Sequence, residues 1–372
     1  MTGQTQEKTV LVLQGGGALG AYQAGAYEGL SEAGITPSWI AGISIGAINA
    51  AIIAGNPPDQ RVGKLRSFWE QVSSGLRGNP FLPGEFARSF FNEMTAATSA
   101  LFGVPGFFEP RLPSPLFAPP GSPGALSLYQ TAPLRESLMS LVDFALIKTG
   151  SVRLSVGAVN IRTGNFVYFD SAERDLAPEH VMASGALPPG FPPVVIEGEA
   201  YWDGGLVSNT PLQFVLDTGE PREDMVVFQV DVFSARGRMP RTLADVAQRE
   251  KEIRYSSRTR LNTDVFSEIQ TLRRAATRLT AKLPKELRDD ADAKLLRGNA
   301  CDAAITIVHL INRQPPYETE TRDYEFSRLS VEEHWEAGRN DVRRTLRHKA
   351  WKRRTRPSHG VAVLDLTEDG SE

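Results

Sequence analysis

The sequence of 372 residues contains one cysteine and little net charge. Cys301 alone cannot form an internal disulfide or a cysteine metal cluster, which is typical of a reducing compartment, so we expect a cytoplasmic protein. The 41 Lys and Arg against 44 Asp and Glu leave a net charge of -3, which gives no general attraction to nucleic acid or to an anionic membrane. Any membrane contact is therefore expected to be local and peripheral. A hydrophobic fraction of 41% excludes a disordered or fibrous chain.

Long apolar runs are also missing. After a short polar lead the chain has only about five apolar residues before the first glycines, too few for the core of a signal peptide, so no export signal is expected. The longest apolar stretch, residues 39–55, is shorter than the roughly 20 residues of a membrane span and is interrupted by Ser44 and Asn49. We interpret it as a buried strand end followed by a helix.

Strand-like and helix-like segments alternate along the first part of the chain. Residues 9–14 are a continuous β-branched apolar run that stops at three glycines, which is typical of a strand buried on both faces. Residues 18–33 carry apolar side chains near helical spacing and end at Gly34, a common helix terminator. A second strand at 38–43 and a small-residue helix at 45–55 repeat the pattern. This order predicts an α/β fold around a mostly parallel sheet.

The rest of the chain divides by composition. Further strands are predicted at 152–161, 165–169, 194–196, 200–202 and 226–232. From residue 233 the sequence becomes helical and charged, with one more apolar strand at 303–311. We therefore expect a first domain over residues 8–232, a mainly helical C-terminal extension over 233–358, and flexible tails at 1–7 and 359–372.

Residues 78–133 interrupt this pattern with many prolines, glycines and phenylalanines. Long irregular segments of this kind are commonly functional. Two interpretations stay open: the insertion is a lid or lipid-facing surface, or its phenylalanines pack it onto its own domain.

The string Gly42-x-Ser44-x-Gly46 lies between a predicted strand and a predicted helix. The glycines allow the tight turn that exposes the serine, and the dipole of the following helix favours negative charge that develops there. This context is typical of a nucleophilic serine. A serine that only caps a helix in a glycine-rich turn would give the same string.

A run of glycines, Gly15-Gly16-Gly17-Ala18-Leu19-Gly20, follows the first predicted strand. Its Gly15-x-Gly17-x-x-Gly20 spacing matches the fingerprint of dinucleotide-binding proteins, which is the main alternative from another functional class. That fold places an acidic residue at the end of the next strand to hold the ribose, whereas the chain there reads Ala41-Gly42-Ile43-Ser44. Consecutive glycines suit an oxyanion hole instead, because their backbone N–H groups can turn towards one point with no Cβ in the way.

Asp203 opens the string Asp203-Gly204-Gly205 directly after a short predicted strand. An Asp-Gly turn between strands is the simpler interpretation. The positions of the histidines favour a catalytic role, because none of them follows a strand at the Ser44 end: His180, His309, His334, His348 and His359. His309 lies inside a predicted strand, as a core histidine does, whereas His334 and His348 are expected on a helix surface. If Ser44 is a nucleophile, a carboxylate must act as its base, and Asp203 is the best placed.

These three signatures, in this order, resemble those of the patatin-like phospholipases. Ala183-Ser184-Gly185-Ala186-Leu187-Pro188, with Phe191-Pro192-Pro193 after it, also resembles the family's segment before the aspartate. The resemblance covers residues 8–232 and implies a lipid acyl hydrolase with a Ser-Asp dyad on a three-layer α/β/α sandwich. Carried over residue by residue, it implies a nucleophile at Ser44, a base at Asp203, an oxyanion loop at Gly15, Gly16 and Gly17, and supporting positions at Gly42, Gly46, Gly204 and Gly205.

Three features differ from this pattern or lie outside it. The family often has Arg or Lys in the glycine loop where this chain has Leu19, so backbone donors alone must bind the oxyanion. Residues 326–328 and 332–335 resemble an extension of unassigned function on some bacterial members of the family. The run 339–356 holds nine Lys and Arg against the single Asp341, and is either a local contact for anionic lipid head groups or a solvated helix end.

The chemistry that the resemblance implies is acyl transfer to water, with no metal or organic cofactor. Asp203 accepts the proton of Ser44, Ser44 attacks an ester carbonyl, the glycine loop binds the oxyanion and water releases the acid. Glycerophospholipids, acylglycerols, simple esters and an intracellular polyester such as polyhydroxyalkanoate all present this carbonyl. A polyester depolymerase is therefore an alternative with the same dyad. The expected partner is a lipid or ester substrate, and no nucleic acid.

Overall fold

A nine-stranded, mostly parallel sheet runs through the middle of the protein. The structure is a computed structural model that describes residues 7–80, 83–150, 152–218, 223–256, 259–313, 318 and 320–367. The strands are β1 (Lys8–Leu13), β2 (Trp39–Gly42), β3 (Glu109–Pro110), β4 (Tyr129–Gln130), β5 (Arg153–Asn160), β6 (Phe166–Asp170), β7 (Val194–Ile196), β8 (Glu199–Asp203), β9 (Met225–Asp231), β10 (Ile305–Ile311) and β11 (Val361–Asp365).

The sheet has the order β11-β10-β9-β1-β2-β5-β8-β7, and β6 pairs with β5. The strands from β11 to β5 pair in parallel, whereas β6, β7 and β8 pair antiparallel. The first strand of the chain is thus central, as its continuous apolar run predicts. β3 and β4 form a separate two-stranded sheet.

Helices cover both faces of this sheet. They are α1 (Gly20–Glu32), α2 (Ile45–Ala54), α3 (Arg61–Val72), α4 (Glu85–Phe102), α5 (Ala132–Leu141), α6 (Phe144–Lys148), α7 (Pro178–Ser184), α8 (Leu212–Thr218), α9 (Leu243–Tyr255), α10 (Thr259–Thr280), α11 (Ala291–Asn299), α12 (Arg328–Arg347) and α13 (Lys349–Lys352). No helix among the described residues is both long and apolar enough to cross a membrane.

Two hydrophobic cores lie on opposite faces of the sheet. Successive side chains of a strand point to opposite faces, so Leu11 and Leu13 join one core and Val10 and Val12 the other. The first core is packed by α1, α2, α3 and α12, and the second by α8 and by Phe266 of α10. This arrangement confirms the predicted three-layer α/β/α fold.

The segment after residue 232 is built into the same sheet and the same core. It supplies β10 and β11 next to β9, and α12 packs along α1. The two helices approach closely because they carry glycines where they meet: a methyl group at Gly25 would collide with the Trp335 carbonyl oxygen, and one at Gly338 with that of Tyr22. The predicted domain boundary near residue 232 therefore falls between two strands of one sheet.

Two sequence predictions are wrong about local structure. Residues 359–372 were expected to be a tail, but Val361–Asp365 is the edge strand β11, paired in parallel with β10. The insertion 78–133 was expected to be irregular, but it contains the 18-residue helix α4. Of the predicted tails, residues 1–6 and 368–372 lie outside the described part of the chain.

Candidate active site

Ser44 occupies a sharp turn between the end of β2 and the start of α2. Its backbone has φ 54° and ψ −124°, a conformation that non-glycine residues rarely adopt and that sets its side chain apart from the strand and the helix. A methyl group at Gly42 would collide with the Gly46 carbonyl oxygen, and one at Gly46 with that of Leu13. Both flanking glycines are therefore required by close backbone contacts. The turn is held by Ser184, whose carbonyl and hydroxyl oxygens each lie 3.1 Å from the Ser44 amide nitrogen.

Asp203 ends β8 and is buried, with 2% of its surface exposed. Burial raises the pKa of Asp203 to about 7, although the hydrogen bond from the Gly205 N–H and the nearby Ser44 hydroxyl oppose this rise. The Gly205 nitrogen lies 2.7 Å from Asp203 Oδ1. The structure thus brings Ser44 and Asp203, which are 159 residues apart in the chain (203 − 44), close enough for the Ser44 hydroxyl to lower the pKa of Asp203.

The two glycines after Asp203 have different neighbours. A methyl group at Gly204 would lie 2.6 Å from the Gly157 carbonyl oxygen of β5, so Gly204 allows β8 to end against β5. One at Gly205 would lie 3.1 Å from Asp203 Oδ1 and 3.1 Å from Asn209 Oδ1, which is tight but less severe. Gly204 thus supports the backbone, and Gly205 supports the carboxylate through its N–H.

The glycine loop connects β1 to α1 beside Ser44, and its three glycines have different roles. The Gly15 N–H donates to the Asn209 carbonyl oxygen at 3.1 Å, so this predicted oxyanion donor is already engaged within the protein. The Gly16 and Gly17 N–H groups donate no hydrogen bond to any acceptor that the structure describes. Gly17 has φ 55°, which favours glycine. Of the three glycines, Gly16 and Gly17 therefore keep an N–H group available to a ligand.

No histidine that the structure describes makes a hydrogen bond to Ser44 or Asp203. His309 is buried in β10, as predicted, with Nδ1 3.7 Å from Asp231 Oδ2. His180 accepts a hydrogen bond from the Ala177 N–H, and burial lowers its pKa. The expectation of a surface position holds for His348, which caps α13, but is wrong for His334, which is buried with Nε2 3.4 Å from Glu318 Oε1.

Four residues that the sequence analysis did not assign support this site: Gln14, Ser184, Asn209 and Tyr255. Ser184 lies in the segment that carried the resemblance, but its contact with the Ser44 amide depends on how α7 packs. The Asn209 side-chain amide donates to the carbonyl oxygens of Gly15 at 3.0 Å and Tyr255 at 2.9 Å. These contacts join distant parts of the chain, so no local sequence pattern predicts them.

Comparison with known protein families identifies relatives of this chain. A family model described as patatin-like phospholipase matches residues 11–216, which carry the Ser44 turn, the glycine loop and Asp203. The chain belongs to the patatin-like phospholipase family. A second model, described as patatin phospholipase, matches residues 253–358. Membership of this family implies a lipid acyl hydrolase. No curated protein matches the chain.

Two solved structures are similar to this chain at low sequence identity. VipD from Legionella pneumophila has 16% sequence identity and a TM-score of 0.34, over 88% of this chain and 67% of the other. The complex of SpcU with ExoU from the type III secretion system of Pseudomonas aeruginosa has 18% identity and a TM-score of 0.27, over 71% of this chain. The match spans 51% of that second chain, about half its length.

Proposed function

We propose that this patatin-like protein hydrolyses lipid esters through a Ser44-Asp203 dyad. The observation that carries the proposal is the placement of the Ser44 hydroxyl, held in a strained turn, beside the buried carboxyl group of Asp203. An ordinary aspartate, with a pKa of about 3.9, is a weak base, whereas a pKa of about 7 suits proton transfer at neutral pH.

The reaction follows from these positions. Asp203 takes the Ser44 proton as Ser44 Oγ attacks the ester carbonyl carbon. Gly16 and Gly17 donate their N–H groups to the oxyanion, which in the absence of a cation at Leu19 is stabilised by backbone donors and by the N-terminus of α2. The protonated Asp203 gives its proton to the leaving alkoxide, which departs as the alcohol. A water molecule, deprotonated by Asp203, then releases the fatty acid and restores Ser44.

The substrate class that we propose is an aggregated lipid ester, and α4 supports it. This helix turns its polar side inwards: Arg88 Nη2 lies 2.9 Å from Ser330 Oγ, and Thr95 Oγ1 lies 2.6 Å from Glu325 Oε1. Its apolar side is exposed and carries Phe86, Phe90, Met94, Leu101 and Phe102. A helix packed through its polar side leaves an apolar surface that water does not favour.

The helix that carries this apolar surface is connected to the segment beside Ser44 through Tyr129. The Tyr129 hydroxyl donates to the Ala100 carbonyl oxygen of α4 at 2.7 Å, and the Tyr129 N–H donates to the Gly190 carbonyl oxygen at 2.9 Å. Gly190 lies in the segment that begins at Ser184, the partner of Ser44. The loop after β3 adds the exposed side chains of Leu112, Leu116 and Phe117. We infer that these apolar groups contact the lipid surface from which the substrate is taken.

Active-site labelling and turnover test the proposed nucleophile. Ser44→Ala should abolish ester hydrolysis in a folded protein, and a fluorophosphonate probe should label the wild type but not the variant. Ser67→Ala, which removes an exposed serine of α3, should hydrolyse and label like the wild type. Labelling of Ser44→Ala at another serine would move the nucleophile elsewhere.

A substrate panel separates the lipid proposal from the polyester alternative. Esters of rising chain length, below and above their aggregation point, should be compared with polyhydroxyalkanoate granules. Faster hydrolysis of aggregated lipid than of granules is expected. Granule hydrolysis without lipid hydrolysis would favour the depolymerase.

A further inference from the structure

The glycine loop is anchored from outside by the C-terminal part of the chain. Asn209 makes a reciprocal pair with Gly15: it accepts from the Gly15 N–H through its own carbonyl oxygen and donates to the Gly15 carbonyl oxygen through Nδ2. The same Nδ2 donates to the Tyr255 carbonyl oxygen at 2.9 Å. Tyr255 is the last residue of α9, so its carbonyl lacks a partner within the helix. Asn209 therefore joins the end of α9 to the glycine loop.

Gln14 makes a second connection of the same kind. Its Nε2 donates to the Tyr255 carbonyl oxygen at 3.1 Å and to Thr210 Oγ1 at 3.0 Å. Its Oε1 accepts from the N–H groups of Val232 and Phe233 at 2.7 and 2.9 Å. The residue immediately before the glycine run is thus completely buried and fixed on both sides of its side-chain amide.

The other end of the loop touches a second C-terminal segment. A methyl group at Gly17 would collide with the carbonyl oxygen of Asp323, in a short 3-10 helix at 322–324. Lys251 of α9 forms an ion pair with Asp323 and donates to the Glu320 carbonyl oxygen at 3.1 Å. The buried Arg322 lies 3.4 Å from Glu252 of α9. The two segments that contact the glycine loop are therefore tied to each other.

We propose that Asn209 is a positioning residue for the oxyanion loop, and that the C-terminal extension serves as its anchor. A run of glycines has high conformational freedom and does not hold its N–H groups in one direction unaided. Oxyanion donors stabilise a transition state only if they are aligned before the reaction. The hydrogen bonds of Asn209 to Gly15 and Tyr255 supply this alignment for the free N–H groups of Gly16 and Gly17. The inference rests on the proposed dyad and adds a function for the extension.

Asn209→Ala and Asn56→Ala form a matched pair that separates positioning from stability. The Asn56 side-chain amide is also buried and also donates to two carbonyl oxygens, those of Ile52 at 2.8 Å and Leu141 at 2.7 Å, at the far end of α2. Both variants should lose a similar amount of thermal stability. With p-nitrophenyl butyrate, a soluble ester, Asn209→Ala should lower kcat by about 10- to 100-fold with KM within about twofold, because removal of one oxyanion donor costs about 100- to 1000-fold and misalignment costs less. Asn56→Ala should keep the wild-type kcat.

Two further measurements make the proposal refutable. The midpoint of the pH profile should be the same in Asn209→Ala and wild type, because Asp203 is not altered.

The double variant Lys251→Met/Asp323→Asn removes the ion pair without leaving a buried lone charge, and it should lower kcat about tenfold. It provides the test if Asn209→Ala does not fold. A wild-type kcat in either folded variant, or a loss confined to KM, would overturn the anchor. An inactive wild type, or an active Ser44→Ala, would instead refute the dyad.

Discussion

The burial of Asp203 decides both its chemistry and its effect on stability. A carboxyl group with little access to water is harder to ionise, and this effect outweighs the hydrogen bond from Gly205 and the influence of the Ser44 hydroxyl, which favour the charged form. The group is therefore divided between acid and carboxylate near neutral pH. Only the carboxylate can accept the Ser44 proton, so the rate is coupled to this one equilibrium.

The pH dependence of hydrolysis follows directly. With a pKa of about 7 for Asp203, kcat/KM should fall about tenfold for each pH unit below 7 and level off above pH 8. The measurement is the initial rate on a soluble ester between pH 5 and 9, with protein stability checked at each pH. A flat profile down to pH 5 would mean that Asp203 is not the base.

Asp203→Asn should separate activity from stability. The amide can hydrogen-bond Ser44 but cannot take its proton, so we expect at least a 1000-fold loss of kcat. The folded-state pKa of Asp203 lies above its unfolded value, so the folded protein loses stability as the pH rises from about 4 to about 7. The variant should therefore unfold at a higher temperature than wild type at pH 8, and the difference should shrink at pH 5. Lower stability of the variant at pH 8 would contradict a raised pKa.

His309→Gln tests the dyad against a Ser-His-Asp triad. His309 lies in β10, and β9 and β1 separate β10 from β2, the strand that leads to Ser44. The variant should keep the wild-type kcat and lose at most about 1–2 kcal/mol of stability, because the glutamine amide can replace one buried hydrogen-bonding group. A folded His309→Gln protein without turnover would refute the dyad.

Sequence reasoning succeeds at this scale where a residue type answers a local backbone requirement. The Ser44 turn requires Gly42 and Gly46, because a side chain at either position would collide with backbone a few residues away or in the neighbouring strand. The motif can therefore be recognised from the sequence alone. The structural roles of Asn209 and His334 cannot be predicted in this way. Their surroundings come from Gly15, Tyr255 and Glu318, which approach only after the sheet and α12 have assembled.

At the scale of the elements, helix α4 packs against the protein through its polar side. Its phenylalanines lie among many prolines and glycines that mask the helical spacing, so the sequence predicts an irregular insertion here. The inward residues Arg88, Asn92, Thr95 and Ser99 recur at steps of four, three and four, as one side of a helix does. A pattern search that assigns the apolar side to the core would orient this helix the wrong way.

The double variant Phe86→Ser/Phe90→Ser tests whether the apolar side of α4 contacts lipid. Burying a phenylalanine in lipid contributes about 1.5–3 kcal/mol, so vesicle binding should weaken by roughly 100-fold or more while the rate on a soluble ester stays unchanged. Glu85→Ser/Glu93→Ser, on the same helix, is the matched control and should bind like wild type. Unchanged vesicle binding by the phenylalanine variant, or equal loss in the control, would leave α4 a packing element.

At the scale of the whole molecule, many of the positive charges of the basic run 339–356 are paired with acidic side chains of the same chain. Within the described part of the chain, five of its nine Lys and Arg form ion pairs: Arg339 and Arg343 with Glu32, Arg344 with Asp341, Arg354 with Glu7, and Arg356 with Asp224. These pairs favour a structural interpretation of the run over a contact with anionic head groups. They also fasten the C-terminal residues to the N-terminal half, since Glu7 and Glu32 lie next to β1 and in α1.

The division of the chain at residue 232 should therefore not correspond to independent folding. Removal of the residues beyond 232 would expose the hydrogen-bonding edge of β9, which β10 covers, and the side of α1 on which α12 packs. An uncovered parallel strand and an uncovered glycine-lined helix face leave a truncated core and favour aggregation. The fragment 1–232 should accordingly be insoluble or lack a cooperative thermal transition, although it contains Ser44, Asp203 and the glycine loop.

The full chain should unfold in a single transition by calorimetry, with Arg339→Ala/Arg343→Ala lowering the midpoint of that one transition. Two separate transitions in the full chain, or a folded and active 1–232 fragment, would show that the extension is an independent unit after all.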